Sequence, residues 1–219
     1  MNLSHDNLVT FIGGSPGLGN NSSCIFLALE FCVEQSLFEF LRENENKITY
    51  HQIVDMALDT ARGIHHLHSR NLVHRDLKSM NLLLDGNLNV KICDFGETKT
   101  EGKWKREGSC DWMAPEVFCR ESYTVKGDVF AYGIILWELC TQQTPPKRSE
   151  ADVCTGTIKP FPKIYQLELE DVVKLAHSCC QKHPGKRPSF LHIIRFLENT
   201  KLHIPEPLKT LPPKIRSFF

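Results

Sequence analysis

The sequence predicts an α+β fold, largely helical, with a small strand-bearing piece at its start. Three observations predict it. Residues 8–31 hold two extended apolar runs around a break rich in Gly, Ser and Asn. Apolar residues then recur at helical spacing in several later windows. Between the early and late helices, residues 72–96 alternate short extended runs with turn signals.

Each element has a local reason. Leu8 to Ile12 is a β-rich run, GGSPGLGNNSS interrupts it, and Cys24 to Phe31 resumes the extended pattern. Ser36 to Arg42 reads as a short amphipathic helix. Thr49 is placed to cap a longer one, in which Ile53, Ala57, Ala61, Ile64 and Leu67 share a face. The runs NLLL and NVKIC flank the turn signal Asp85-Gly86. Residues 97–115 are polar and irregular, as expected of a long surface loop. From Asp128 to Cys140 the chain is apolar nearly all round, which predicts a helix buried on most sides. Gln142 to Phe161 carries prolines and little periodicity. Two further helices are expected at 168–181 and 188–199, separated by His183-Pro184-Gly185. The tail from Ile204, with Pro205, Pro207, Pro212 and Pro213, is expected to be loose, down to Phe218-Phe219.

Composition narrows the function classes. The chain has 219 residues, 41% hydrophobic and 24% charged, enough for one domain with an ordinary core. With 26 basic and 26 acidic side chains the formal net charge is zero, so nothing draws the whole molecule to nucleic acid or to an anionic membrane. No apolar run is long enough to span a bilayer, and the first residues, MNLSHDNLVT, lack the pattern of a signal peptide. A cytoplasmic chain is the expectation. The nine cysteines are scattered, without CxxC spacing, and fit reduced thiols better than a disulfide framework or a zinc site. His65 and His68 of the HHLH cluster fall on one side of a helix with no acidic or Cys partner beside them, so a helix surface is expected there rather than a metal site.

The glycine-rich loop Gly13 to Asn20 fails as a phosphate cradle. Gly14 and Gly19 have a P-loop interval, but Asn20 and Asn21 stand where Lys and Ser or Thr are needed, and Ser22 breaks a GxGxxG pattern. A hairpin loop is the better account.

The strong signal lies further on. His74-Arg75-Asp76-Leu77-Lys78-Ser79-Met80-Asn81 is followed by Cys93-Asp94-Phe95-Gly96 and then by Met113-Ala114-Pro115-Glu116. In this order and at these intervals the three blocks resemble the catalytic loop, metal-binding turn and activation-segment end of eukaryotic protein kinases. The resemblance implies a protein-kinase-like fold, a mostly helical large lobe joined to a smaller strand-bearing lobe, and use of ATP with Mg²⁺. It implies that Asp76 orients or accepts the proton of a substrate hydroxyl, that Lys78 steadies the transferring phosphate, and that Asn81 and Asp94 hold Mg²⁺. The run FLALEFC resembles the segment linking the lobes. Leu29 would then guard the back pocket, the backbone of Glu30 and Cys32 would meet adenine, and Leu83 would lie beneath the ring. Lys186-Arg187-Pro188 resembles the site whose arginine pairs with the glutamate of the APE block, here Glu116, and Asp128 opens the helix that anchors the catalytic loop.

Lys78, two residues after Asp76, is the serine/threonine pattern. GSCDWMAPEVF, HRDLKSMNLLLD and DVFAYGIILWEL look most like the tyrosine-kinase-like group. Within it they are similar to MAP kinase kinase kinases of the TGF-β-activated kinase type. The resemblance runs from about Leu3 to Leu197. It implies a protein substrate, such as a MAP kinase kinase, and an adaptor or activator as a further partner. Residues 1–31 would be the small-lobe remnant, with the family's fourth and fifth strands, 32–200 the large lobe, and 201–219 a Pro-rich tail.

Departures from the family pattern keep two readings open. The family's glycine-rich loop, strand lysine and helix glutamate belong upstream of LSHDNLV, and this sequence begins there. Between Lys103 and Gly108 there is no Ser or Thr, which leaves Thr98, Thr100 and Ser109 as candidate phosphoacceptors, with Arg75 and Lys91 placed to receive a loop phosphate. The stretch after Pro146 looks short, which puts a substrate-docking helix in doubt. One reading is a serine/threonine kinase with Asp76, Lys78, Asn81 and Asp94 intact. The other is a catalytically impaired, truncated kinase acting as a binding module.

Overall fold

A computed structural model describes residues 3–16, 25–45, 47–102, 110–119, 122–155 and 167–203. The glycine-rich loop beyond Pro16, Cys24, the Lys103–Gly108 segment, Ser109 and the tail from Ile204 lie outside the described residues. The architecture is the expected α+β one: two small antiparallel sheets beside a helical body.

The first sheet is the hairpin of β1 (Phe11–Pro16) and β2 (Ile25–Leu29), with Phe11 opposite Leu29 and Pro16 opposite Ile25. β1 therefore begins later than the apolar run suggests and continues through Gly13 and Gly14, past a register shift after Phe11. Leu8 and Val9 belong elsewhere. Leu8 bridges Ile92, and the Val9 N–H donates to the Ile92 carbonyl at 2.9 Å. Both are buried, because this stretch joins the large core rather than the exposed hairpin.

α1 (Leu37–Glu43) and α2 (Tyr50–His68) both start at capping boxes. The Ser36 hydroxyl accepts from the Glu39 N–H and the Thr49 hydroxyl from the Gln52 N–H, while each N3 side chain reaches back to the cap backbone. Ile53, Ala57, Ala61, Ile64 and Leu67 of α2 are all fully buried. The second sheet pairs β3 (Leu82–Leu84) with β4 (Val90–Ile92), turned by Asp85, whose carboxylate accepts the backbone N–H groups of Asn87 and Asn89.

The end of the 97–115 stretch corrects the expectation of a surface loop. A 3₁₀ turn (Cys110–Trp112) brings Trp112, Met113 and Ala114 into the core, just before the short helix α3 (Pro115–Phe118). α4 (Val125–Thr141) is the central element, with every residue from Gly127 to Thr141 buried. Its Gly133 meets α6 (Leu167–Cys179) so closely that an added Cβ would lie 2.8 Å from Cys179 Cβ and 3.1 Å from the Ala176 carbonyl oxygen. Before α6, a short helix α5 (Glu150–Thr155) follows Pro146, in a stretch whose sequence left a helix in doubt. α7 (Phe190–Leu202), capped by Ser189, packs on α2.

Candidate active site

The loop from His74 to Asn81 connects α2 to β3, and α4 sets its path. The buried Asp128 carboxylate accepts the backbone N–H of His74 at 2.9 Å and of Arg75 at 3.0 Å, the Tyr123 hydroxyl at 3.1 Å, and a contact from His68 Nε2 at 2.8 Å. Burial alone would raise the Asp128 pKa, but the hydrogen bonds and the charges of His68 and His74 hold it below the ordinary value. His68 is thus no bare helix-surface residue. Its ring turns inward to the loop's anchor and is almost fully covered.

Arg75 is held at φ 72°, a left-handed conformation that side-chain-bearing residues rarely adopt, and Asp94 sits at φ 59°. Each costs on the order of 1–3 kcal/mol, so the surrounding contacts must fix them. For Arg75 these include Asp128 and a guanidinium bond to the Thr100 carbonyl. For the turn at Asp94, His74 Nε2 lies 3.1 Å from the Cys93 carbonyl oxygen, and the His74 ring meets Phe95 edge-on at 5.8 Å.

Asp76, Lys78, Asn81 and Asp94 come to one place. Lys78 Nζ lies 2.6 Å from Asp76 Oδ2, with both side chains mostly covered. Asn81 Nδ2 donates to the Asp76 carbonyl at 2.8 Å and leans on Asp76 Oδ2 at 3.3 Å. This leaves Asn81 Oδ1 turned the other way as an acceptor. The Asn81 carbonyl takes the Cys93 N–H at 3.0 Å, which seats Asp94 beside it. Asp94 is exposed. An amide oxygen and a carboxylate presented together are hard donors that suit Mg²⁺, so the residues fit the ion that the sequence implied.

The predicted nucleotide-contacting residues lie at the end of β2, just after it, and on β3. The Glu30 N–H donates to the Thr10 carbonyl at 2.9 Å, which extends the hairpin ladder, and Cys32 is partly covered. Leu83 is the partly covered central residue of β3, and Leu29 is half-exposed. Lys91 reaches the two Glu30 oxygens at 3.0 and 3.2 Å, so its charge is engaged there rather than waiting for a loop phosphate. Burial would raise the Glu30 pKa, but the bonds from Lys91 and the Thr10 N–H hold it below normal.

Two buried links brace the body around the loop, and one of them reaches the loop itself. Glu116 and Arg187 form a two-pronged pair at 2.5 and 2.8 Å, as the sequence resemblance implied. Arg187 also donates to the carbonyls of Gln181, Lys126 and Lys182. Sequence reasoning missed the other link. Glu138 of α4 accepts the Ser79 hydroxyl at 2.6 Å and the Trp112 indole N–H at 2.8 Å. Its only signal was a lone acidic residue in an apolar run. Burial pushes its carboxyl up to about 8, against the lowering effect of those two bonds.

A sequence model described as protein tyrosine and serine/threonine kinase matches residues 1–197. The chain belongs to that family. Among its kinase relatives, the RGS domain-containing serine/threonine-protein kinase A of Dictyostelium discoideum is 37% identical over 90% of this chain and 18% of its own length. Serine/threonine/tyrosine-protein kinase HT1 of Arabidopsis thaliana is 34% identical over 90% of this chain and 51% of its own length. Mitogen-activated protein kinase kinase kinase dlk-1 of Caenorhabditis briggsae is 32% identical over 87% of this chain and 23% of its own length. The chain thus spans about half or less of each of these kinases. Among the described residues, no helix is long and apolar enough to cross a membrane.

Proposed function

We propose that this kinase-family chain transfers the γ-phosphoryl group of ATP to serine or threonine hydroxyls of a protein, with Asp76 as the residue that receives the hydroxyl proton. The observation that carries the reading is the convergence of Asp76, Lys78 and Asn81 on one loop, with Asp94 seated beside them. The Asp76 carboxylate is held by Lys78 and Asn81, so it points rather than swings, and orientation is most of what this chemistry asks of a protein. As the hydroxyl oxygen bonds to phosphorus and the bond to the ADP oxygen breaks, the hydroxyl proton moves to Asp76. Lys78 faces the phosphoryl oxygens. Asn81 Oδ1 and Asp94 would hold Mg²⁺, which would supply neutralisation of the phosphate charge. The backbone of Glu30 and Cys32 and the side chain of Leu83 would hold the adenine. The motif string GSCDWMAPEVF and the likeness to dlk-1 support a MAP kinase kinase kinase-like role in cytoplasmic signalling, with a MAP kinase kinase as substrate.

A second reading has its own observation. The β1–β2 hairpin exposes Phe11, Ile12, Phe26 and Leu27, each more than half uncovered, apolar surface on both faces of the hairpin that a protein partner can cover. On that reading the chain is a binding module that competes for an adaptor or a substrate. The test is transfer of labelled phosphate from ATP and Mg²⁺ to a generic protein substrate, by this chain and by any longer product of the same gene, each beside Asp76→Asn. Transfer that depends on Asp76 supports the enzyme; equal signal with and without Asp76 sinks it.

A further inference from the structure

Two exposed thiols face each other where α3 meets α5. Cys119 closes the C-terminal end of α3, and Cys154 lies on α5, with Sγ atoms 3.4 Å apart. Neither is in a disulfide, and both are exposed. A disulfide bond is about 2.05 Å long, so closure asks for an approach of little more than about 1 Å between side chains that face water. Their backbones are held. The Cys119 N–H donates to the Pro115 carbonyl at 2.9 Å, and Glu116, on the same short helix, is fixed by Arg187. On α5, Val153 is fully buried, and Ser149 and Asp152 form a reciprocal cap at 2.6 to 3.2 Å.

We propose that Cys119 and Cys154 are a peroxide-responsive dithiol that closes to an intramolecular disulfide between α3 and α5. In the first step the thiolate of one cysteine attacks hydrogen peroxide. An S–O bond forms, the O–O bond breaks, and the departing hydroxide takes up the thiol's proton to leave as water. In the second step the other thiolate attacks the sulfenic sulfur. The S–S bond forms, the S–O bond breaks, and hydroxide again leaves as water after taking that thiol's proton. Two thiols are oxidised by two electrons in total and one peroxide is reduced to two waters. A small dithiol such as dithiothreitol reverses the closure by thiol–disulfide exchange.

The other described cysteines are less exposed, with Cys32, Cys93 and Cys110 partly covered. Cys140, Cys179 and Cys180 are buried, and burial raises their pKa values, to about 12 for Cys140 and Cys180. Cys93 is raised to about 11, mainly by burial. Reactivity follows thiolate character and access, so the exposed pair is the one that a dissolved oxidant meets. Closure would fasten the end of the APE block to α5, with all of α4 in the loop between them. Neither the chemistry nor its test depends on the proposed catalytic activity.

The test treats the 219-residue protein with hydrogen peroxide, alkylates what remains, and maps peptides by mass spectrometry without reductant. Alkylation of Cys119 and Cys154 should be lost together, with a cross-linked peptide pair that dithiothreitol releases. Cys110 shares a tryptic peptide with Cys119, so fragment spectra must place the bond on Cys119. Cys119→Ser and Cys154→Ser, checked for unchanged helical circular dichroism, should each abolish the pair. Full alkylation of both thiols after peroxide overturns the proposal. So does a bond to Cys110 or to a second molecule.

Discussion

The Asp128 carboxylate accepts the Arg75 backbone N–H at 3.0 Å, so a helix far along the chain holds the loop that presents Asp76. Asparagine at this position would turn an amide N–H₂ towards at least one of four donors and remove the charge. Asp128→Asn should cost about 3–5 kcal/mol, read as a lower urea midpoint at unchanged slope. Because Asp128 is held below its ordinary value of 3.8, its contribution to stability is present above that pH and is lost as pH falls through the lower folded value. The variant should lack that part of the acid transition.

Glu138 has the opposite sign. Its folded pKa is raised from 4.5 to about 8, so its favourable contribution is complete below 4.5 and is lost as pH rises through about 8. The loss amounts to at most roughly 5 kcal/mol. Glu138→Gln can still accept from Trp112 and meet Ser79 without ionising. Stability measured from pH 5 to 8 should fall in the wild type and stay flatter in the variant.

Arg187→Lys keeps a positive charge but not the fork that meets both Glu116 oxygens and three carbonyls. It should destabilise by about 3 kcal/mol, seen as a lowered thermal midpoint, because Glu116 then keeps its buried position with a poorer partner.

Asp76→Asn tests the proposed chemistry apart from folding. The side chain is partly covered and its contacts are local, so the melting curve should shift little. Phosphoryl transfer should fall by about 10²–10⁴-fold. A rate unchanged under matched ATP and Mg²⁺ would remove Asp76 from the mechanism.

Elements whose signals were local were legible in the sequence. Ser36 and Thr49 announce their helices because each cap is completed three residues on. The HRDLKSMN block is legible as one local loop, and in it Asp76, Lys78 and Asn81 are in contact, while Asp94 is placed next to them only through the backbone bond from Cys93 to Asn81. The apolar run places Leu8 on the first strand, but its partner, Ile92, lies on a different sheet, and no local pattern encodes that pairing. α5 is not legible from periodicity, since six residues offer too short a window, although Ser149 and Asp152 carry a cap-like spacing. The inward turn of His68 and the bonds of Glu138 depend on tertiary neighbours. A polar residue in an apolar run says that a partner exists, not which one.

α4 has no face on water from Gly127 onward, and this ties the site's breathing to that of the whole core. The helix that carries both Asp128 and Glu138 cannot fray towards solvent without uncovering a full turn of packed side chains. Amide hydrogens of His74 and Arg75, which rest on Asp128, should therefore exchange with deuterium only through the largest openings, at rates like those of α4 itself. The exposed β1–β2 hairpin should exchange far sooner.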